Sequence, residues 1–364
     1  MFFKNVMVYQ VTKNLGLSAV GAVGQLAELL AVKSFNPCGS QDSKKMGWVP
    51  PLHACEGEDM VLAGSGRVLF TLKTETKIMP GASVAKLLNT RVKAVEKAED
   101  RKVKGIEKRQ FKDEIIKELL PKCLVKENFL SGYLVPGQNL LVLDTASANQ
   151  GDEFTAYLRE TLGGLPIVPA QSNTSFGVTM TQWLKYQEPP EGFLLGENTK
   201  LEDHLGSKAA FKAQDLFTDE IKSHLEAGKT VKEIGLVDVG TLAFTLTDDL
   251  YLKGLTWSGA FKARAEEADI EDPAARMDAD FALMAGELDK VLLQLFEVMN
   301  IERQWDEVPA DYEPRFGVGF VSPKKAGGSV IVEGDGVESV TIISGEHSVT
   351  VVGLDKSPNV QNNN

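Results

Sequence analysis

The sequence predicts a globular chain that mixes helices with short antiparallel strands. Residues 60–80 alternate apolar and polar side chains, and residues 134–144 place two apolar runs around a Pro-Gly turn; a glycine-containing turn thus divides each segment, which is typical of β-hairpins. Residues 17–32 and 276–299 instead carry apolar side chains at helical spacing, which predicts buried helices. With 364 residues, 43% of them hydrophobic, the chain is long enough for a large core and two or three subdomains.

A basic segment at residues 83–121 differs from the rest of the chain. Apolar side chains at three-to-four spacing, with Ser83 as the N-cap and Pro121 as the stop, predict helix. Its cations step by four, four, three, four and four residues, so one continuous helix would carry them as one stripe. They are Lys93, Lys97, Arg101, Lys104, Lys108 and Lys112. Gly105 disfavours a helix interior, and two helices that meet near it, which would divide the stripe, are an open alternative.

The charge of the basic segment is opposite to that of the whole chain. Residues 86–126 contain thirteen Lys or Arg against seven Asp or Glu, a local charge of +6, whereas the chain carries −12 and the remainder therefore −18. A basic surface on an acidic protein attracts a polyanion to one place and repels it elsewhere. Acidic residues interleave with the cations, however, and an exposed helix laced with salt bridges is the alternative explanation.

A segment rich in proline and glycine at residues 35–51 is predicted to be a loop with fixed turns. Its Lys44, Lys45 and Trp48 are suited to contacts with a phosphate backbone. The alternative is a structured connector in which Trp48 fills part of the core.

The motifs of common catalytic sites are missing from the sequence. It has no phosphate-binding loop, no HExxH and no GxSxG, and its three cysteines form no CxxC pair, which predicts free thiols. We therefore expect no enzyme activity, no cofactor and no metal. Asp278 and Asp280 are the acids that a metal-dependent nuclease would use, but we expect them to stabilise a helix N-terminus. No apolar run is long enough to cross a bilayer and no signal peptide is evident, so we expect a cytoplasmic protein.

The chain divides by composition. Residues 1–305 are expected to form the body, with the basic helical tip at 83–121. Residues 306–329 are rich in Pro and Gly and are predicted to be a linker, residues 330–356 alternate as three short strands, and residues 357–364 are polar and predicted to be a disordered tail.

Several long segments resemble the recombination-associated RdgC family and occur in the order expected for it. They cover roughly the first 300 residues and read FNPCGSQDSKKMGWVPP, KDEIIKELLP, LPIVPA, KAQDL followed by EIKSHLEAGK, and RMDADFALMAGEL. The resemblance implies an α+β fold with mixed antiparallel sheets, in a homodimer that closes into a ring around duplex DNA. It also implies DNA binding without sequence preference, association with the nucleoid and restraint of RecA by occupying DNA. Single-stranded DNA is a further expected partner, and a membrane is not.

The resemblance also assigns residues to one of two contacts that close the ring, the gate. In this sequence the gate positions are Leu124, where the family usually has an aromatic residue, and Gln214 with Lys212, because the expected lysine at position 213 is Ala213. The basic tip is expected to supply the DNA contacts. A regulator that acts by binding RecA itself remains the alternative function.

Overall fold

The structure is a computed structural model. It describes residues 2–13, 15, 22–52, 58–267 and 270–303, together with the backbone of residues 330–331, 339–344 and 347–352. The described residues form eight α-helices and three antiparallel sheets. The predicted α+β class with mixed antiparallel sheets is therefore confirmed.

The first sheet has seven strands in the order β2-β4-β5-β6-β1-β7, with β3 paired to β4. Its strands are β1 (Met7–Val11), β2 (Lys44–Val49), β3 (Leu62–Gly64), β4 (Arg67–Ile78), β5 (Leu124–Val135), β6 (Leu140–Leu143) and β7 (Ile167–Pro169). The strand β6 shows why this sheet forms the centre of the body. Its four residues are all apolar and all buried, with alternate side chains in the two different core clusters on the two faces of the sheet. A continuous apolar run is what a strand covered on both faces requires.

The second sheet has five strands in the order β12-β11-β10-β8-β9. Its strands are β8 (Phe193–Glu202), β9 (Lys208–Phe211), β10 (Thr230–Asp238), β11 (Leu242–Thr247) and β12 (Leu252–Trp257). A backbone bridge between Val6 and Leu252 joins the chain just before β1 to the edge strand β12.

The body also contains eight helices among its described residues. They are α1 (Ala22–Val32), α2 (Gly81–Glu99), α3 (Gly105–Leu119), α4 (Ala148–Leu162), α5 (Phe176–Tyr186), α6 (Asp219–Glu226), α7 (Gly259–Glu267) and α8 (Pro273–Val298). The helices α1 and α4 contact each other and pack on one face of the first sheet, whereas α8 belongs to the larger core, which includes both sheets. As predicted, the wide apolar surface of α8 is core, with Phe281, Met284 and Leu292 almost fully buried.

The chain after the body contains a third sheet, made of β13 (Val330–Ile331), β14 (Ser339–Ser344) and β15 (His347–Val352). These strands fall within the predicted 330–356 segment. The contacts divide the chain into two compact units, at residues 1–315 and 316–364. The predicted linker at 306–329 and tail at 357–364 lie outside the described residues.

Three local predictions were wrong. Residues 44–49 are the strand β2 and not a loop, because they pair along β4, and that long-range partner is invisible in local composition. The helix α2 begins at Gly81 after Pro80, and the backbone N–H of Ser83 donates to Pro80 O inside the helix, so Ser83 is not its N-cap. Asp278 and Asp280 were expected at the N-terminus of a helix, but the N-cap of α8 is Asp272.

The alternative in which Trp48 fills the core is confirmed. Its side chain is 1% exposed and lies against Phe70 and Phe154, and its Nε1 donates to Thr161 Oγ1 at 2.9 Å. Lys44 pairs with Glu153 at 2.5 Å, and Lys45 pairs with Asp42 at 3.6 Å. An indole suits both a core and a ligand surface, so the sequence left both roles of Trp48 open.

A buried polar contact connects the first sheet to α8. Asp289, which is 2% exposed, accepts from Arg67 Nε at 2.7 Å and from Tyr133 Oη at 2.8 Å. Burial raises the pKa of Asp289, an effect that Arg67 and Tyr133 oppose. The carboxylate therefore satisfies a buried and a partly buried donor from two neighbouring strands.

We predict that Asp289→Ala lowers the free energy of unfolding by about 3–5 kcal/mol, because it leaves the buried Tyr133 Oη without its acceptor and removes the carboxylate that pairs with the partly buried Arg67. Urea denaturation followed by circular dichroism measures this loss. The control Lys290→Ala, on the exposed side of the same helix, should change stability by no more than about 0.5 kcal/mol. A loss below about 1 kcal/mol for Asp289→Ala would contradict the prediction.

Candidate nucleic-acid interface

The basic segment forms a helical hairpin, α2 and α3, at the outer end of a long β-ribbon. The hairpin is inserted between β4 and β5, which pair antiparallel from Val68–Leu134 out to Ile78–Leu124. Beyond Phe129 towards the hairpin, β5 is exposed along its length. The ribbon therefore carries the basic segment away from the buried core.

The two helices of the hairpin share a small apolar cluster of their own. Val84 and Leu88 from α2 and Ile115 from α3 are buried together, with Phe111 and Leu119 packed against them. The three-to-four spacing that predicted helix is the spacing of these contacts. The cluster holds the two helices side by side.

The connection between the helices, residues 100–104, divides the predicted stripe of cations. Asp100 takes a left-handed conformation (φ 47°) and ends α2, and α3 begins at Gly105. The two-helix alternative is therefore confirmed, and the single continuous stripe is wrong. Lys93 and Lys97 lie on α2, Arg101 and Lys104 on the connection, and Lys108 and Lys112 on α3.

The lysines of α2 form one outward face. Lys93 and Lys97 follow the buried Val84 and Leu88 by nine residues each, which is about two and a half helical turns, so each lysine is opposite a buried position. Both are exposed, and within the described part of the chain neither forms an ion pair. Lys86 lies seven residues before Lys93, on the same face, and is also exposed. Sequence analysis missed Lys86 because it tracked steps of three and four only.

The cations of α3 are oriented differently. Lys108 precedes the buried Ile115 by seven residues, so it lies on the side of α3 that carries the apolar cluster. Its charge helps to lower the pKa of Glu96 on α2, where a hydrogen bond from the backbone of Val103 is the larger cause. Lys112 is exposed and forms no ion pair among the described residues. The predicted DNA contacts therefore occupy at least two sides of the hairpin.

Among the residues predicted to contact DNA, Arg101 donates its guanidinium N–H groups to two carboxylates of the same hairpin. Its guanidinium donates to Glu99 from Nε at 2.6 Å and to both carboxylate oxygens of Glu107 at 2.6 and 2.7 Å. Hydrogen bonds from Arg101, and from the backbone of Lys104, lower the pKa of Glu107 to about 2. The alternative of a salt-bridged helix thus describes the connection but not the outward face of α2.

The predicted gate residues lie on the two sheets of the body. Leu124, 77% exposed, is the first residue of β5 and pairs with Ile78, itself 49% exposed. Lys212 is exposed just after β9, and the backbone N–H of Gln214 donates to Glu197 O at 3.3 Å. Two further exposed apolar side chains of β5, at positions 125 and 129, were not predicted from the sequence.

The acids of the nuclease alternative do not converge. Asp278 and Asp280 lie two residues apart in α8, which places them about 200° apart around the helix. They are past the first turn, so our expectation that they stabilise the N-terminus was wrong and Asp272 takes that role. Within the described residues, no group of three His, Cys, Asp or Glu is arranged to hold a metal ion. In the same part of the chain, no helix is long and apolar enough to cross a membrane.

Comparison with known proteins places the whole body in one family. The family model described as "Putative exonuclease, RdgC" matches residues 1–302. The chain belongs to the RdgC family. Proteins named "Recombination-associated protein RdgC" are similar to it over nearly their full length. The protein from Aeromonas hydrophila subsp. hydrophila is 37% identical over 306 residues, which is 84% of this chain and 99% of the relative.

Two further relatives with the same name show a similar coverage. The protein from Tolumonas auensis is 37% identical over 307 residues, 83% of this chain and 99% of its own. The protein from Proteus mirabilis is 36% identical over 306 residues, 84% of this chain and 100% of its own. The RdgC family and its association with recombination thus apply to the body, while residues after 302 lie outside the family match.

Proposed function

We propose that this chain binds DNA without sequence preference and modulates RecA-dependent recombination by occluding DNA. The observation that carries the proposal is the outward face of α2, where Lys86, Lys93 and Lys97 are exposed. Cations that make no internal ion pair are available to phosphates, and they displace condensed counterions when they bind. Phosphate contacts of this kind give affinity and position but read no base sequence.

The charge distribution supports the same function. Residues 86–126 carry +6 within a chain of −12, so the field of the protein favours one surface for DNA and disfavours the others. Binding through phosphates requires no helix that contacts base edges in a groove of the duplex. Under this proposal the protein associates with the nucleoid and covers double-stranded DNA at many sites. Single-stranded DNA is bound through the same phosphate contacts.

We further propose that the chain acts as a homodimeric ring closed in part by the gate, Leu124 with Lys212 and Gln214. The exposed Leu124 at the end of the β-ribbon is a side chain that gains stability by being covered. Aliphatic burial replaces the aromatic contact that is usual in the family. A ring of this kind would retain duplex DNA within it, which denies that DNA to filament formation or strand exchange.

We predict that Lys93→Gln/Lys97→Gln weakens binding to a short random duplex on the order of tenfold at 0.1 M salt. The plot of log K, the logarithm of the association constant, against log salt should become less steep by about 2, because each phosphate contact contributes about 0.9 to its negative slope. Fluorescence anisotropy at several salt concentrations measures both quantities. Scrambling the duplex sequence should change neither.

The control for this variant is Lys222→Gln/Lys262→Gln, which removes two exposed charges from α6 and α7. It changes the net charge equally but lies outside the basic segment, so the slope should stay within about 0.5 of the wild-type value. Equal losses in the two double variants would show that net charge, and not the face of α2, governs binding.

We predict that Leu124→Glu weakens dimer association at least tenfold, about 1.4 kcal/mol, because a carboxylate replaces the apolar group at the gate. Sedimentation velocity over a concentration series measures the dimer dissociation constant. Val239→Glu, at a 68% exposed position between β10 and β11, is the matched control and should leave the constant unchanged. An unchanged constant for Leu124→Glu would remove the gate from the proposal.

A further inference from the structure

Acidic side chains hold the connection of the helical hairpin at three points. Glu96 accepts from the backbone N–H of Val103 at 3.1 Å and pairs with Lys102 at 3.5 Å. Glu107 accepts from the backbone N–H of Lys104 at 3.1 Å, which caps α3. Glu96 and Glu107 thus bind backbone N–H groups at the end of the connection, at Val103 and Lys104.

The contacts of Arg101 are additional to those caps. Its Nε and both terminal nitrogens donate to Glu99 and Glu107, all at 2.6 to 2.7 Å. A guanidinium binds phosphate through the same donors in the same forked geometry. A phosphate and the two carboxylates are therefore alternative ligands of one side chain, and Arg101 cannot serve both fully.

The position of this cluster makes the competition relevant to DNA. Glu99 is two residues from Lys97 and ends the helix whose outward face carries Lys93 and Lys97. Two residues correspond to a rise of about 3 Å along a helix, which is less than the roughly 10 Å over which charges act at 0.1 M salt, so the carboxylate of Glu99 weakens the field near Lys97. Hydrogen bonds from Arg101 and from the backbone of Lys104 lower the pKa of Glu107 to about 2, so its carboxylate is ionised, and a phosphate that binds the full fork of Arg101 must displace it.

We propose that Glu99 and Glu107 form a clasp that withholds Arg101 from DNA and thereby limits the affinity of the hairpin. This inference rests on the proposed DNA-binding function and adds the residues that restrain it. The free protein presents lysines, which contact phosphate as point charges, and keeps its strongest phosphate ligand occupied. Affinity is then low enough for the protein to exchange along DNA, and Arg101 adds a contact only where a phosphate displaces a carboxylate.

The test is a double-mutant cycle on Arg101 and Glu107. Glu107→Gln removes the charge but keeps an acceptor for the N–H of Lys104, because glutamine serves in a capping box as glutamate does. We expect Glu107→Gln to strengthen binding to a random duplex about three- to tenfold at 0.1 M salt. The plot of log K against log salt should become steeper by about 1, as for one added phosphate contact. In the Arg101→Gln background the same change should have less than a twofold effect.

The matched control is Asp113→Asn, which removes one exposed negative charge from the same helix. Among the described residues, Asp113 pairs with no arginine, so the control reports the effect of charge alone and should strengthen binding less than twofold. Helix content and melting temperature of every variant, measured by circular dichroism, should match wild type. A Glu99→Gln/Glu107→Gln variant should bind at least as tightly as Glu107→Gln.

Three outcomes would overturn the clasp. The first is an equal gain from Glu107→Gln and Asp113→Asn, and the second is an undiminished gain in the Arg101→Gln background. In both cases wild-type binding and its loss in Lys93→Gln/Lys97→Gln would leave the proposed function intact. The third is a wild-type chain without salt-sensitive DNA binding, which would remove the proposed function and the clasp together.

Discussion

The antiparallel pairing of β4 with β5 is the constraint on which the rest of the structure depends. Its inner half is the centre of the first sheet, where Tyr133 and Leu134 are buried. Its outer half carries the helical hairpin and the exposed Leu124. The same eleven paired positions thus supply the core and the proposed DNA and dimer surfaces, and a register shift would move all three together.

The separation of charge follows from this arrangement. The hairpin has a small core of its own, so it accepts a high density of lysine without bringing charges into the main core, where burial would be costly. The acids in the hairpin are confined mostly to ion pairs with Arg91, Arg101 and Lys102. These pairs leave the lysine face of α2 unoccupied, since Lys93 and Lys97 form no ion pair among the described residues. This face, and not the total positive charge of the segment, is the proposed ligand surface.

The sequence predicted those features that depend on neighbours along the chain. Helical spacing identified the hairpin and α8, and composition located the basic segment. It failed where a distant partner decides the outcome, as for β2, whose strand conformation comes from pairing with β4. It also did not predict the forked contacts of Arg101 with Glu99 and Glu107, because they depend on the turn at Asp100. Periodicity alone treats every residue of a stripe as equally available.

The most direct test of the account is inhibition of RecA strand exchange by the wild-type protein over a series of duplex DNA concentrations. Occlusion predicts that excess duplex relieves the inhibition, because protein is distributed over more DNA than it can cover. It also predicts weaker inhibition by Lys93→Gln/Lys97→Gln. Inhibition that persists unchanged in excess duplex, and equally in that variant, would contradict the account and indicate a regulator that contacts RecA directly.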